Sequence, residues 1–267
     1  MACTTSTIKA AFTTAGNKWT RSHQVHFRMM ATTSKNPMMD IPSLPDVSPT
    51  SKRLFLVRHG EVINPGGDKA VYYGAMDVPL STLGKMEAKA AGMFLSHFTL
   101  QHIASSPLSR AVYGAQQVMD QQQLQQTGAD ILILEGFREL DRGAWCGLTK
   151  EEITPELLDR FDACDESVTP AGGESYNFLK DRVLDARDKI LEQTDLGQAS
   201  AIVSHLQVTR SILSDALMIP TSRMAAIKVA TASITCIDYD ASTGIQTVHF
   251  QSIKPNVGLV SSVDGAN

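Results

Sequence analysis

The sequence predicts an α/β fold, a three-layer sandwich in which a mostly parallel central sheet lies between helices on both faces. Short apolar runs of strand length alternate with segments whose apolar residues recur at helical spacing. Two of the apolar runs, residues 54–57 and 201–203, lead into polar residues that include a histidine. Because ligands of open α/β sheets bind at the carboxyl edge of the strands, we expect the functional site at that edge.

Residues that start helices mark the expected elements. Ser81 is a typical N-cap, and Ser106-Pro107 predicts a cap followed by the first helical residue. The predicted helices cover residues 82–96, 107–125, a segment that opens after Ser175, and residues 207–218. The predicted strands cover residues 53–57, 102–105, 131–134, 200–205, 234–239 and 247–252, the third of them buried and the last two an antiparallel pair. The long loop over residues 62–80 is expected to lie over the site.

Residues 1–50 differ in composition from the rest of the chain. They hold five Lys or Arg and two Asp, a net charge of +3, in a chain whose net charge is −4. No acidic residue precedes Asp40, and Ser and Thr are abundant, which is typical of an organelle transit peptide. We therefore predict a disordered transit peptide and linker over residues 1–50. The plastid is favoured over the mitochondrion as the destination, and the protein is expected to be cytoplasmic if this segment is not a targeting signal. The folded domain is expected over residues 51–254 and a loose tail over residues 255–267.

Composition argues against several classes of protein. No apolar run approaches the roughly 18 to 20 residues that a membrane span needs. The four cysteines form neither a CxxC pair nor a zinc-finger spacing with histidine, so we interpret them as isolated reduced thiols (Cys3, Cys146, Cys164 and Cys236). The domain is acidic and has no basic stripe, which argues against a nucleic-acid partner. The expected partner is a small molecule.

The expected carboxyl edge carries residues suited to phosphoryl chemistry. Arg58 offers a fork of donors that fits a phosphoryl group, and His59 can act as a nucleophile or a proton carrier. His205 ends another strand at the same edge, and Arg110 is placed to reach that edge from the start of the second helix. Glu139, on a loop past the third strand, is a candidate for proton transfer.

Spacing alone leaves two rival carboxylates, Glu135 and Asp141. The remaining histidines fall in no constellation, and we interpret them as structural or solvated (His23, His26, His97, His102 and His249). Two histidines, two arginines and one carboxylate can bind a phosphoryl group, attack it with neutral imidazole and protonate the leaving alcohol.

Six sequence blocks in this order resemble the histidine phosphatase superfamily, whose fold is called phosphoglycerate mutase-like. The resemblance spans about residues 53–239, and the order of the blocks makes it specific. The blocks are Leu56-Val57-Arg58-His59-Gly60-Glu61; Pro79-Leu80-Ser81-Thr82-Leu83-Gly84 with Glu87-Ala88; Ser105-Ser106-Pro107-Leu108-Ser109-Arg110-Ala111; Glu139 with Gly143, Trp145 and Gly147; Gly172-Gly173-Glu174-Ser175; and Val203-Ser204-His205.

The resemblance implies a role for each matching residue. His59 is expected to be the nucleophile that forms a phosphohistidine, kept neutral by neighbouring arginines that lower its pKa. Arg58, Arg110 and His205 are expected to clamp the phosphoryl oxygens, since charge stabilisation dominates phosphoryl transfer. Glu139 is expected to protonate the leaving oxygen and then to help water attack. The further substrate-binding candidates are Asn64, Thr82 and Leu206, and no metal ion or cofactor is implied.

The chain departs from the family pattern at three places. The asparagine that often lies seven residues after the signature arginine is replaced by Pro65, and Asn64 precedes it. The small glycine after the second histidine is Leu206, followed by Gln207, which is expected to narrow the pocket. The segment over residues 140–171 holds eight acidic and three basic residues, whereas mutases of the family carry a longer, basic insertion there.

These features favour a phosphatase that hydrolyses a small phosphomonoester with water as the acceptor. One alternative is a phosphoglycerate-type mutase, which would isomerise phosphoglycerate instead of releasing phosphate. Another is a non-catalytic module that binds a phosphorylated ligand on the same fold, because fold alone does not establish function. The physiological substrate and the oligomeric state are left open by the sequence.

Overall fold

One mixed sheet of six strands forms the centre of the part of the chain that the structure describes. The structure, a computed structural model, describes residues 42–122 and 129–258. The strands are β1 (Ser51–Arg58), β2 (His102–Ser105), β3 (Leu132–Ile133), β4 (Ala199–Ser204), β5 (Ile234–Asp240) and β6 (Gln246–Ile253). They lie in the order β3-β2-β4-β1-β5-β6.

Strand directions confirm the predicted α/β sheet. The neighbours β1 and β4 run parallel, as do β4 and β2, and β2 and β3. The strand β5 is antiparallel to both β1 and β6. Because β1 and β4 are adjacent and parallel, Arg58 lies opposite Ser204 where both strands end. The chain therefore brings its two strand-end histidines to the same edge.

Helices cover both faces of the sheet, so that β1 is buried on both sides. The helices are α1 (Thr82–Leu95), α2 (Ser109–Asp120), α3 (Lys150–Ile153), α4 (Pro155–Asp162), α5 (Tyr176–Gln193) and α6 (Leu206–Ala216). Leu54 and Leu56 of β1 belong to one hydrophobic cluster, which includes residues of α5 and α6. Phe55 and Val57 belong to the other, with residues of α1 and α2. In the described residues, no helix is long and apolar enough to span a membrane.

The start of α1 agrees with the prediction and both ends of α2 do not. The Ser81 hydroxyl accepts a hydrogen bond from Gly84 N at 3.0 Å, as an N-cap does. The predicted start of α2 at Ser106-Pro107 is wrong, since the N-cap is Leu108 and the Ser106 hydroxyl contacts a histidine instead. The helix ends at Asp120 rather than Gln125, and Gln122 then donates to Leu95 O at 3.0 Å. Residues 123–128 lie outside the described part of the chain.

The third strand is shorter and more exposed than predicted. Residues 131–134 were expected to form a buried strand, but β3 is limited to Leu132 and Ile133. It pairs only with β2 at the edge of the sheet, and Ile133 is 46% exposed. An apolar run of four residues cannot distinguish an edge strand from a central one.

Both ends of the described chain contact the domain. Leu44 packs against the cluster that contains Phe55, and Pro45 O accepts a hydrogen bond of 3.0 Å from Arg53. Lys254 forms an ion pair with the buried Glu87. Most of the predicted transit peptide, residues 1–41, and residues 259–267 of the predicted tail lie outside the described residues.

Candidate active site

His59 and His205 face each other across the carboxyl ends of β1 and β4. His59 N donates to Ser204 O at 2.9 Å, so the parallel ladder extends to the first residue beyond β1. The two imidazole rings have centroids 5.1 Å apart and planes at 62° to each other. Both rings are buried. The structure therefore brings together the two histidines that the sequence analysis placed at this edge.

A backbone carbonyl fixes the orientation of the His59 imidazole. His59 Nδ1 lies 2.7 Å from Gly60 O. Because a carbonyl can only accept, Nδ1 carries the proton in the neutral ring and Nε2 keeps its lone pair. Burial lowers the pKa of His59 to about 3, with a further lowering by Arg110 and a smaller one by Arg58. Burial is therefore the larger cause of this pKa shift, and not the arginines alone as predicted from the sequence.

His205 is held by the serine that precedes α2. His205 Nε2 lies 2.7 Å from Ser106 Oγ, which also accepts a hydrogen bond from Leu108 N at 3.3 Å. Burial, and then His59 and the two arginines Arg110 and Arg58, lower the pKa of His205 well below its usual value. Its Nδ1 is buried and has no hydrogen-bond partner among the described residues.

Two arginines, Arg58 and Arg110, interact electrostatically with both histidines. Arg58 Nη1 donates to Val229 O at 2.6 Å. Arg110, in the first turn of α2, donates from Nη1 to Met76 O at 2.6 Å and from Nη2 to Gly74 O at 2.8 Å. The Nε group of each arginine is buried without a partner among the described residues. Burial lowers the pKa of both guanidinium groups, and Glu139 partly offsets that effect.

Glu139 is the carboxylate that interacts with both arginines. It is buried beyond a short 3-10 turn (Glu135–Phe137). Its Oε1 accepts a hydrogen bond from Leu140 N at 2.8 Å, and its Oε2 accepts one from Gln207 N, in the first turn of α6, at 3.2 Å. The helix N-terminus therefore orients one edge of the carboxylate.

The rival carboxylates serve other purposes. Glu135 is exposed and forms an ion pair with Arg138. Asp141 accepts a hydrogen bond from Gly143 N at 2.8 Å and so shapes its own turn. Of the three acids that sequence spacing could not distinguish, Glu139 is thus the one that interacts with both arginines.

The other substrate-binding candidates are Asn64, Thr82 and Leu206, and their surroundings differ. The Asn64 amide donates to Gly67 O at 2.7 Å and to Lys69 O at 2.6 Å, so its hydrogen bonds organise its own loop. Thr82 is the exposed first residue of α1. Leu206, the first residue of α6, packs against the hydrophobic cluster beneath α5 and α6.

Several neighbours of the site were not identified from sequence. Ser106 was interpreted as a helix cap, yet it binds His205. Tyr73 presents its ring to Arg110 at 5.5 Å, and burial raises the pKa of its hydroxyl. Arg142, three residues after Glu139, is buried with Nη1 unpartnered in the described part of the chain. Within residues 42–122 and 129–258, no group of three or more His, Cys, Asp or Glu is placed to hold a metal ion.

Together, the fold and the site define an α/β protein in which two histidines, two arginines and one carboxylate meet at the carboxyl edge of the sheet, a set of groups suited to phosphoryl chemistry. A model of the Histidine phosphatase superfamily (branch 1) matches residues 54–251. The chain belongs to this superfamily.

Matching relatives include phosphatases and proteins named as mutases. The protein named Phosphoserine phosphatase 1, from Hydrogenobacter thermophilus, is 31% identical over 189 residues, which cover 69% of this chain and 85% of that protein. Other matches are named as phosphoglycerate mutases. The chain spans only 54% of the length of a mycobacterial relative, the Bifunctional protein Rv2228c of Mycobacterium tuberculosis, to which it is 29% identical over 206 residues.

A solved structure has the same fold. The mycobacterial glucosyl-3-phosphoglycerate phosphatase superposes with a TM-score of 0.64 and 25% identity, covering 76% of this chain and 99% of that chain. The comparisons therefore show a superfamily whose matching members are named as phosphatases or as mutases.

Proposed function

We propose that the chain is a phosphatase that hydrolyses a small phosphomonoester through a phosphohistidine on His59. The observation that carries the proposal is the 2.7 Å contact between His59 Nδ1 and Gly60 O. It directs the lone pair of a neutral imidazole to Nε2, and the low pKa of His59 keeps the ring neutral throughout the physiological pH range. An imidazole that does not bind a proton is ready to attack phosphorus.

The first chemical step transfers the phosphoryl group to His59. Nε2 forms a bond to phosphorus as the bond to the ester oxygen breaks, and Glu139 gives its proton to that oxygen. In the free protein, Glu139 interacts with Arg58 and Arg110. A phosphoryl dianion that binds to these arginines therefore lies beside Glu139, the proton donor that the step requires.

The second step returns the site to its starting state. Water attacks phosphorus and gives a proton to the Glu139 carboxylate, the bond between phosphorus and His59 Nε2 breaks, and phosphate leaves. Throughout both steps, Arg58, Arg110 and His205 stabilise the charge on the phosphoryl oxygens. The buried, unpartnered Nε groups of both arginines are donors that such an anion would satisfy. Because the arginines supply this charge, we expect hydrolysis to resist chelators.

The acidic segment over residues 140–171 supports water as the acceptor. It holds eight acidic and only three basic residues, so it offers no cluster of cations that would retain a second phosphorylated molecule as a mutase must. The relatives named as mutases keep isomerisation as the second candidate. The relatives named for phosphoserine and for glucosyl-3-phosphoglycerate support a small phosphorylated metabolite as substrate.

The basic, acid-poor leader supports an organellar location, with the plastid favoured over the mitochondrion. Import of the full chain into isolated plastids and mitochondria, followed by protease protection, tests this proposal. Protection in neither organelle would reject it.

The catalytic proposal is tested by phosphate release from sugar phosphates, phosphoglycolate, phosphoserine, phosphoglycerates and nucleotides, with chelator present. We expect release from at least one compound by the full chain, loss of that release in His59→Ala, and an acid-labile phosphoenzyme that His59→Ala lacks. His97→Ala is the matched control, because His97 is exposed on another part of the surface. Full activity in His59→Ala would reject the mechanism, and isomerisation of phosphoglycerate without net release would favour the mutase.

A further inference from the structure

Arg142 is a buried cation for which the described residues supply no counter-ion. Four arginines are buried in this part of the chain, and two of them are neutralised by carboxylates: Arg53 pairs with Asp238, and Arg187 pairs with Asp215. The other two are Arg110, at the proposed phosphoryl site, and Arg142. Arg142 is 7% exposed, and its Nη1 is buried with no hydrogen-bond partner among the described residues. An unpaired buried charge is energetically costly, so an anion bound beside Arg142 would be stabilised by it.

Aromatic rings hold the Arg142 guanidinium without satisfying its N–H groups. The ring of Tyr72 lies 4.9 Å from the guanidinium carbon, and the ring of Phe161 lies 5.2 Å from it. Such contacts attract a cation, but they do not accept hydrogen bonds from the donors in the guanidinium plane. The nearby carboxylate of Asp162 accepts from the Tyr176 hydroxyl at 2.9 Å and forms no ion pair with Arg142. A planar fork of donors fixed in this way is suited to a carboxylate or a phosphoryl group.

The Tyr72-Tyr73-Gly74 segment connects Arg142 to the phosphoryl site. Gly74 O accepts from Arg110 Nη2 at 2.8 Å. A Cβ atom placed on Gly74 would lie only 2.8 Å from Arg142 Cγ, so this glycine fits between the two arginine side chains. Standard backbone dimensions then put Arg110 Nη2 and Arg142 Cγ within about 10 Å of each other, so one small molecule can reach both side chains. Consecutive tyrosines also present their rings to the two arginines, Tyr73 to Arg110 and Tyr72 to Arg142.

We propose that Arg142 binds a second anionic group of the substrate, a carboxylate or a second phosphoryl group, while the first phosphoryl group lies at His59. The proposal rests on the proposed function, because His59 and Arg110 define where the reacting phosphoryl group lies. The surrounding segment is acidic, so Arg142 is an isolated cation that selects one small anionic group and not a polyanion. Substrates are therefore phosphomonoesters with two separate anionic groups.

The unmodified protein provides the first test through matched pairs of substrates. We expect kcat/KM to be at least tenfold higher for phosphoserine than for phosphoethanolamine, and for 3-phosphoglycerate than for glycerol 3-phosphate, if the second anion is a carboxylate. A preference for fructose 1,6-bisphosphate over fructose 6-phosphate would instead identify a second phosphoryl group. Hydrolysis without any such preference would overturn the proposal for Arg142 and leave the phosphatase intact. No hydrolysis of any ester would instead count against the proposed function.

Variants at Arg142 provide the second test. In Arg142→Gln we expect KM for the preferred substrate to rise about tenfold or more, while kcat stays within threefold of wild type. For the matched substrate that lacks the second anion, KM and kcat should not change. Arg142→Lys should recover part of the loss, because it keeps the charge without the fork. Arg160→Gln removes an exposed arginine of the same acidic segment and should behave as wild type. Equal loss on both members of a pair would contradict the proposal, and if Arg142→Gln does not fold, the paired substrates decide the question.

Discussion

Arg182 and Glu174 form an ion pair that holds the backbone on which Glu139 lies. Arg182 Nε donates to Glu174 Oε2 at 2.9 Å. Arg182 Nη1 donates to Gly136 O at 3.0 Å and to Arg138 O at 2.8 Å, and its Nη2 donates to Glu139 O at 3.3 Å. One guanidinium therefore binds three carbonyls of the segment that positions the proposed proton donor.

Glu174 completes this clamp from the other side, since its Oε1 accepts a hydrogen bond from Asp141 N at 2.9 Å. In Glu174→Gln we expect hydrolysis of an alkyl phosphate to fall about tenfold, because a small displacement of Glu139 impairs proton donation. The kcat/KM for nitrophenyl phosphate, which does not include the later attack of water, should fall less than threefold, because nitrophenolate leaves without a proton. Steady-state kinetics on the two substrates measures this difference. A general structural defect would lower both rates equally and would contradict the positioning role.

Removing the Glu139 carboxyl group should also impair alkyl phosphates more than nitrophenyl phosphate, and by a larger factor than Glu174→Gln does. We expect Glu139→Gln to lower kcat/KM for an alkyl phosphate by about 10² to 10⁴, the usual range for a general acid, and to spare kcat/KM for nitrophenyl phosphate in comparison. The ratio kcat/KM is the quantity to compare, because it does not include the later attack of water, in which Glu139 also takes part. Glu135→Gln is the control, since Glu135 is exposed and pairs with Arg138. A Glu135→Gln protein with the larger defect would show that the proton donor had been assigned to the wrong acid.

The sequence could predict the part of the site that follows from strand topology. His59 and His205 each follow a buried strand, and adjacent parallel strands must bring such residues together. The hydrogen-bond partners of the arginines could not be predicted from the sequence, because they lie far away in the chain. Arg58 binds a carbonyl 171 positions later, and Arg110 binds one 36 positions earlier. Loop carbonyls carry no sequence signal of this kind.

Local rules failed where a tertiary contact competed with them. Ser106-Pro107 fits a helix start, but the Ser106 hydroxyl lies against His205 and α2 begins later. Asn64 matched the family motif only with a shift of one residue, and its amide hydrogen bonds organise its own loop. Arg142 was counted as one of three bases in an acidic segment, and only the fold shows that it is buried beside Tyr72.

Gly84 allows the start of α1 to contact the turn that carries His59. A Cβ atom on Gly84 would lie 1.9 Å from Glu61 O, and one on Gly60 would lie 2.3 Å from Gly84 O. Because both obstacles are backbone atoms, neither can move aside without displacing the turn. We expect Gly84→Ala to lower the free energy of unfolding by about 3 kcal/mol, the upper part of the range for overpacking.

Urea unfolding at pH 7 measures this loss, and Lys85→Ala is the control. Lys85 is exposed on the same helix, so its substitution should stay within about 0.5 kcal/mol of wild type. A Gly84→Ala protein as stable as wild type would show that the approach between α1 and the His59 turn is looser than the structure indicates.

His59 should make the protein less stable as the solution becomes acidic. Its pKa is about 3 in the folded protein, against an ordinary value of about 6.5 for the unfolded chain. Between these two values the unfolded chain binds a proton that the folded protein excludes, so protonation stabilises the unfolded state. Stability is therefore lost as pH falls from 6.5 towards 3, by up to about 1.4 kcal/mol for each pH unit.

Replacing the imidazole by a neutral amide removes this penalty. Between pH 7 and pH 5, the free energy of unfolding of His59→Gln should decrease by about 2 kcal/mol less than that of wild type, as measured by urea unfolding at constant ionic strength. His205 is present in both proteins, so its own acid sensitivity largely cancels in the difference. His97→Gln, which changes an exposed histidine, should follow the wild-type curve. Parallel curves for His59→Gln and wild type would mean that His59 binds a proton in the folded protein near its ordinary pKa, and that His59 is not kept as the neutral nucleophile.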